Sequence, residues 1–305
     1  MIKKIKKFNY AYIAGYIDGD GCFDIGKQYV KNRLSPRYPA GIIVSSTNDK
    51  IINWFNNTFG GSVRSYKKRT SNQKPMYYFI LRKNKSMYLI PKILPFLVEK
   101  REEACLFLEF CKQTNPMNKE HLINKLKITK SVGNLVTKYH KEEFERLKST
   151  INPTIYDFAY LAGFIDAECS LNIQKYKPKN KPNYVYKILL QCNNTKAPAF
   201  KWLIERFGGQ IHFIDRRNHG KARKNQLTWR LSGKALSHIL PNIYQFLRYK
   251  KPVCKQLIKF YETTLKNGGA RHTDQFRSEY DRTIKIREEI VTKVHQLNSK
   301  GIKSI

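Results

Sequence analysis

The sequence predicts an α+β protein made of two pseudo-symmetric αββαββα repeats, and three observations point there. The stretch Tyr12-Ile13-Ala14-Gly15-Tyr16-Ile17-Asp18-Gly19-Asp20-Gly21 returns as Tyr160-Leu161-Ala162-Gly163-Phe164-Ile165-Asp166-Ala167-Glu168-Cys169. The offset of 148 between Asp20 and Glu168 recurs from Trp54 to Trp202 and from Gly60-Gly61 to Gly208-Gly209. It drifts to 150 at Ile90-Pro91 and Leu240-Pro241, at Phe96-Leu97 and Phe246-Leu247, and at Lys100 and Lys250. An offset held this well marks a duplicated domain. Around a central helix, each copy also places two pairs of strand-like segments. The expected division is a first repeat over 1–114, a linker over 115–153, a second repeat over 154–266 and a basic helical tail over 267–305.

The first helix of each repeat carries small residues at i, i+4 and i+8: Ala11, Gly15 and Gly19, then Ala159, Gly163 and Ala167. Such a stripe lets two helices approach backbone to backbone. A carboxylate follows each stripe, Asp20 or Glu168. Pairing the stripes brings both acids, with two helix C-termini of partial negative charge, to one place that attracts divalent cations. Asp18 and Asp166, two residues earlier, are expected to fix the helix ends by hydrogen bonding.

The strand at 22–29 reads with Phe23 and Ile25 inward and Asp24, Gly26 and Gln28 outward. Its counterpart has Leu171 and Ile173 inward and Ser170, Asn172, Gln174 and Tyr176 outward. The second strands, near 42–46 and 186–192, alternate less clearly. Helices at 50–59 and 199–207 end at their Gly-Gly pairs, as C-cap glycines do. Later strands alternate again. Val63 is set inward against Arg64, Tyr66 and Lys68, and Tyr77, Phe79 and Leu81 oppose Tyr78, Ile80 and Arg82. In repeat two, Ile211 and Phe213 oppose Gln210 and His212, and Leu227, Trp229 and Leu231 oppose Gln226, Thr228 and Arg230. A single third helix closes each repeat, with Lys100 and Lys250 at its start. The Lys-rich linker has a partly helical interior (Leu122, Leu126, Val132, Leu135), and the tail spaces Ile286, Ile290, Val294 and Leu297 as a docked helix would.

The 58 Lys+Arg against 23 Asp+Glu give a formal net charge of +35, which points to a polyanionic partner, usually nucleic acid. No acid occurs in 25–48, 50–98, 169–204 or 216–261, so a surface facing phosphates has been cleared of negative charge. A strand of about nine residues at ~3.3 Å each spans roughly nine base pairs at ~3.4 Å. Polar sheet faces of this kind suit the major groove. Six cysteines without CxxC or Cys/His spacing argue against zinc and for dispersed thiols in a reducing compartment. No signal peptide or bilayer-spanning run is read. The expectation is a soluble intracellular protein without membrane contact.

The two decapeptides resemble the signature of the LAGLIDADG homing endonucleases. The first copy matches at nearly every position. The second departs at Glu168, where Asp is usual, and at Cys169, where Gly is usual. The resemblance implies the two-repeat single-chain branch: a monomer with internal pseudo-twofold symmetry, a saddle-shaped antiparallel sheet with helices behind it in each half, and the motif helices packed at the interface. It implies a staggered double-strand break in a long, pseudo-palindromic DNA target, and a gene that is intron-encoded or free-standing, in an organelle (chloroplast or mitochondrion) or a bacterial cytoplasm.

By the same resemblance Asp20 and Glu168 ligate two or three Mg²⁺ ions at the interface, with the carbonyls of Gly19 and Ala167 completing the coordination. Mn²⁺ would substitute, and Ca²⁺ would bind without supporting cleavage. Lys100 and Lys250 match a basic residue that stabilises phosphoryl charge or orients water, and Asn48 and Lys196 match residues of the water network. DNA contacts are expected from Asp24, Gln28, Arg64, Tyr66, Lys68, Tyr78, Ile80 and Arg82 in repeat one, and from Asn172, Gln174, Tyr176, Gln210, His212, Gln226, Thr228 and Arg230 in repeat two. The linker is also expected to touch DNA. Two other readings stay open: a maturase binding intron RNA, and a DNA-binding protein of the same fold that no longer cuts. The Glu168-Cys169 departure leaves a nickase open as well.

Overall fold

The computed structural model describes residues 5–32, 35–66, 75–132, 135–179, 184–216, 224–263 and 274–299, without the side chains of 274–277. Repeat one runs α1 (Lys7–Asp20), β1 (Gly21–Ile25), β2 (Ala40–Ser46), α2 (Asp49–Phe59), β3 (Ser62–Tyr66), β4 (Met76–Arg82), α3 (Lys83–Ile93) and α4 (Arg101–Lys112). The connection holds α5 (Pro116–Val132) and α6 (Lys138–Arg146). Repeat two runs α7 (Ile155–Glu168), β5 (Cys169–Tyr176), β6 (Val185–Asn194), α8 (Pro198–Phe207), β7 (Gln210–Ile214), β8 (Gln226–Ser232), α9 (Gly233–Tyr244) and α10 (Lys251–Glu262), and α11 (Asp274–Ser299) follows. Each repeat folds into a four-stranded antiparallel sheet, in the orders β1-β2-β4-β3 and β5-β6-β8-β7. The identical order shows the duplication in three dimensions.

The motif helices lie at the centre. Every residue from Ala11 to Asp18 and from Ala159 to Asp166 is buried, as expected of helices that are apolar all round. The glycines show how close the two helices come. A Cβ on Gly15 would sit 2.0 Å from the Tyr160 carbonyl oxygen, and one on Gly163 1.9 Å from that of Tyr12. Only hydrogen fits at either position. A Cβ on Gly19 would lie 2.4 Å from the Ala167 Cβ, so the stripes stay in contact to their ends. Around this pair, Phe23, Val44, Phe79 and Leu81 of one sheet and Leu171, Ile173, Leu190 and Trp229 of the other join one continuous core.

The structure corrects several sequence expectations. Each repeat closes on two helices: the expected one, which is α4 or α10, and an unexpected one before it, α3 or α9, that follows β4 or β8 directly. Lys100 and Lys250 stand at the N-caps of α4 and α10. The β1 ladder stops at Ile25, and pairing resumes only as a lone bridge between Gln28 and Arg37. Val63 pairs with inward-facing Phe79 yet is 38% exposed: β3 is an edge strand, whereas its counterpart β7 also packs against α6, and Ile211 is buried. Cys169 and Cys192 form a disulfide. Strand register sets them opposite each other on β5 and β6, which a separation of 23 in sequence hides. Cys22, Cys105, Cys111 and Cys254 are free thiols.

The connection is helical and packed. Leu122, Ile123 and Leu126 of α5 are buried, and α6 packs on α8 and β7. Of the tail, α11 docks on α10 and β5 through Ile290, Val291 and Val294. Ile286 stays 39% exposed. Among the described residues, no helix is long and apolar enough to cross a membrane.

Candidate active site

The two acids of each motif have opposite environments. Asp18 is fully buried and accepts four hydrogen bonds: from the backbone N–H groups of Val98 (2.8 Å), Glu99 (3.1 Å) and Lys100 (2.8 Å), and from the Tyr160 hydroxyl (2.7 Å). Asp166 repeats this with Arg248 (2.8 Å), Tyr249 (3.1 Å), Lys250 (2.7 Å) and the Tyr12 hydroxyl (2.8 Å). Each aspartate thus fastens the N-terminus of α4 or α10 to its own motif helix, and a tyrosine from the other repeat ties the halves together. Their expected role, fixing helix ends, matches this geometry, and the tyrosine adds a cross-repeat link.

Asp20 and Glu168 accept no hydrogen bond among the described residues. They are close neighbours, since a Cβ on Gly19 would lie 3.0 Å from the Glu168 Cγ. Burial, and then the Glu168 charge, push the Asp20 carboxyl up to about 7 against the partial pull of Lys250 and Lys100. The Glu168 tip reaches solvent, but the helix ends around it exclude water and raise its pKa, while Lys100 and Lys250 lower it. Two carboxylates that repel each other, with lone pairs uncommitted, fit the oxygen-only donor set that hard divalent cations prefer. Among the described residues, no group of three or more His, Cys, Asp or Glu is placed to hold a metal ion. Any cation here would therefore complete its shell with carbonyls, water and ligand oxygens, as Mg²⁺ usually does.

Both predicted lysines converge on this point. The Lys100 ammonium donates to the carbonyls of Ile17 (2.9 Å), Gly19 (3.0 Å) and Gly21 (2.8 Å), and that of Lys250 to Ile165 (2.5 Å) and Asp166 (3.1 Å). Each offsets the negative end of a motif helix while standing near both acids. The Gly19 carbonyl, expected as a metal ligand, keeps one lone pair beside its bond to Lys100. Ala167 lies at the helix contact.

Asn48 and Lys196 have structural partners. Asn48 caps α2, its side-chain oxygen accepting from Lys50 N (2.9 Å) and Ile51 N (3.3 Å). Lys196 pairs at 2.8 Å with buried Glu103. Beside it Asn194 donates to Glu99 at 2.8 Å, and burial pushes the Glu99 carboxyl up to about 8. Glu99 and Glu103 were missed by the sequence reading. The available signal was Glu99 standing next to Lys100 at the end of a long acid-free run.

The predicted DNA-contacting residues fall on one face of each sheet. Arg64, Tyr66, Arg82, Gln174, Tyr176, Gln210 and His212 are exposed, as is Gln28 beyond the end of β1. Asp24, Tyr78, Ile80, Asn172, Gln226 and Arg230 are half-buried. Thr228 is a correction: register sets it on this face, yet it is 1% exposed and its hydroxyl donates to Asn193 at 2.7 Å, so it braces Asn193 without reaching the surface. Lys68 lies outside the described residues. Register adds Ile43, Gln191 and Asn193, which sequence alternation missed because β2 and β6 are central strands with apolar residues toward both faces.

Comparison with known proteins agrees with this fold. Residues 13–112 match the family model described as LAGLIDADG endonuclease. No curated protein sequence matches the chain. Among solved structures, the I-SmaMI LAGLIDADG homing endonuclease bound to cleaved DNA aligns at 16% identity over 99% of this chain and 99% of its own, with a TM-score of 0.63. I-SmaMI bound to an uncleaved DNA target in the presence of calcium ions aligns at 18% identity over 99% and 100%, with a TM-score of 0.60. The I-LtrWI LAGLIDADG homing endonuclease bound to target DNA aligns at 18% identity over 93% and 97%, also with a TM-score of 0.60.

Proposed function

We propose that this chain, a two-repeat member of the LAGLIDADG family by its first repeat and its whole fold, is a site-specific DNA endonuclease that makes a staggered double-strand break using Mg²⁺. One observation carries the proposal. Of the four motif acids, two are saturated with hydrogen bonds, and the other two stand side by side at the seam between the sheets with uncommitted lone pairs. A structural role accounts for the first pair and leaves the second unexplained. The similar structures with cleaved DNA and with calcium ions support the reading.

Asp20 and Glu168 would hold the ions, with the free lone pair of the Gly19 carbonyl and that of Ala167 in reach. Bound there, divalent ions supply water activation and charge neutralisation at the leaving oxygen. Lys100 and Lys250, anchored on the motif-helix carbonyls, add positive charge beside the scissile phosphates. The sheet faces position the duplex on either side, and their scarcity of acids, Asp24 apart, admits its phosphates. Asn48 and Lys196 act here by fixing α2 and the Glu103 charge, which shapes the rim of the site.

The test is incubation with a randomised duplex DNA library and Mg²⁺, followed by sequencing of new ends. Paired ends at one recurrent sequence are expected. Intact DNA under conditions where the protein binds it would overturn the proposal in favour of a non-cleaving binder.

A further inference from the structure

Two residues past each motif acid, strand register assembles a row of four side chains across the DNA-facing side of each sheet. In repeat one Cys22 faces Ile43, Ile43 faces Ile80 and Ile80 faces Ser62. In repeat two Ser170 faces Gln191, Gln191 faces Arg230 and Arg230 faces Gln210. The rows are equivalent by the duplication, at offsets of 148 for three positions and 150 for Ile80 and Arg230. Their chemistry is opposite. The middle of one row is two half-exposed isoleucines, and the middle of the other is a glutamine and an arginine in contact.

That contact organises the second row. Arg230 donates from Nε to Gln191 Oε1 at 3.1 Å, and Gln191 donates from Nε2 to Asn193 Oδ1 at 3.3 Å. Buried Thr228 holds the same Asn193 oxygen. A guanidinium fixed at Nε presents its two terminal nitrogens as the fork that matches guanine O6 and N7. Isoleucine offers no hydrogen bond, and its complement in the major groove is the thymine methyl group.

We propose that the two halves read unlike base pairs at equivalent positions beside the cut: a thymine under Ile43 and Ile80, and a guanine under Arg230 braced by Gln191. The proposal rests on the endonuclease reading above and specifies its substrate. The target departs from palindromy at this position, and the departure is set by a swap of apolar for polar side chains at matched sites.

The test uses the full chain and the randomised duplex library with Mg²⁺. Cut ends should show thymine at one flank and guanine at the equivalent flank. On the recovered target, replacing that thymine by deoxyuridine, which removes only the methyl group, should slow cleavage severalfold. Arg230→Ala should flatten the guanine preference by on the order of tenfold. The pair Ile43→Gln with Ile80→Arg, which copies the second row into the first, should turn the thymine flank into a second guanine flank. Equal preferences at both flanks, indifference to deoxyuridine, or a flank preference unmoved by these variants would overturn the inference and leave the nuclease standing. A library left intact would remove the nuclease reading, and this one with it. The deoxyuridine arm leaves the protein unaltered, so misfolding of a variant cannot decide the outcome.

Discussion

Asp18 and Asp20 stand two residues apart on one helix, and what reaches each carboxyl decides its task. Asp18 receives three backbone donors and a tyrosine hydroxyl. An amide in its place has one acceptor oxygen and turns an NH₂ group toward donors. Asp18→Asn should therefore cost on the order of 3 kcal/mol, read as a lower midpoint in urea denaturation, and Asp166→Asn should do the same. Burial raises the Asp18 carboxyl as well, but Asp20 has no such donors to lose, and its substitution has the opposite effect on stability. Its raised pKa of about 7 means that, without metal, it favours the fold fully below its unfolded value near 4, and this contribution is lost as pH rises through about 7. At pH 8 and in chelator, Asp20→Asn should raise the melting temperature by a few degrees, roughly the response to 1 kcal/mol in a chain of this size. Because a metal ligand must be deprotonated, cleavage at limiting Mg²⁺ should climb between pH 6 and 8, and saturating Mg²⁺ should move that rise to lower pH. A profile flat in pH at every Mg²⁺ concentration would contradict the assignment.

At the scale of elements, the α1–α7 seam brings two helices backbone to backbone. Alanine in place of Gly163 favours the helix by about 1 kcal/mol, but its Cβ would stand 1.9 Å from the Tyr12 carbonyl oxygen. Overpacking against backbone wins. Gly163→Ala should destabilise the chain by ~2 kcal/mol or more and lower cleavage further, since separating the helices also separates the acids; thermal melting and cleavage rate read the two effects. This seam was legible in the sequence because glycine and alanine at four-residue spacing have few other uses, and because the pattern occurs twice. The start of α4 at Lys100 was legible, but α3 was not, since it follows β4 with no turn between them and carries Pro91 inside. The Val63 side chain could be assigned a face by alternation, but its burial depended on which strand became an edge. Glu99 and Glu103 belong to repeat one by sequence, yet act on Asn194 and Lys196 of repeat two, a relation no local pattern carries.

Over the whole molecule, two sheets with acid-poor faces flank one pair of uncommitted carboxylates. A surface that tracks phosphates on both sides should lose affinity by about 10³-fold or more between 50 and 200 mM salt, measured by filter binding or anisotropy in Ca²⁺. A flat salt profile would count against both sheets facing the duplex. The central claim is narrower: Asp20 and Glu168 together hold the ions that cut. Its most direct measurement is strand-resolved cleavage of the selected target in Mg²⁺ by the native chain, Asp20→Asn and Glu168→Gln, with binding followed in Ca²⁺. The account predicts that each variant keeps binding and loses double-strand cleavage by at least about a hundredfold, the size of effect that loss of one major electrostatic element of a hydrolytic site produces. Cutting of both strands at the native rate by either variant would contradict it.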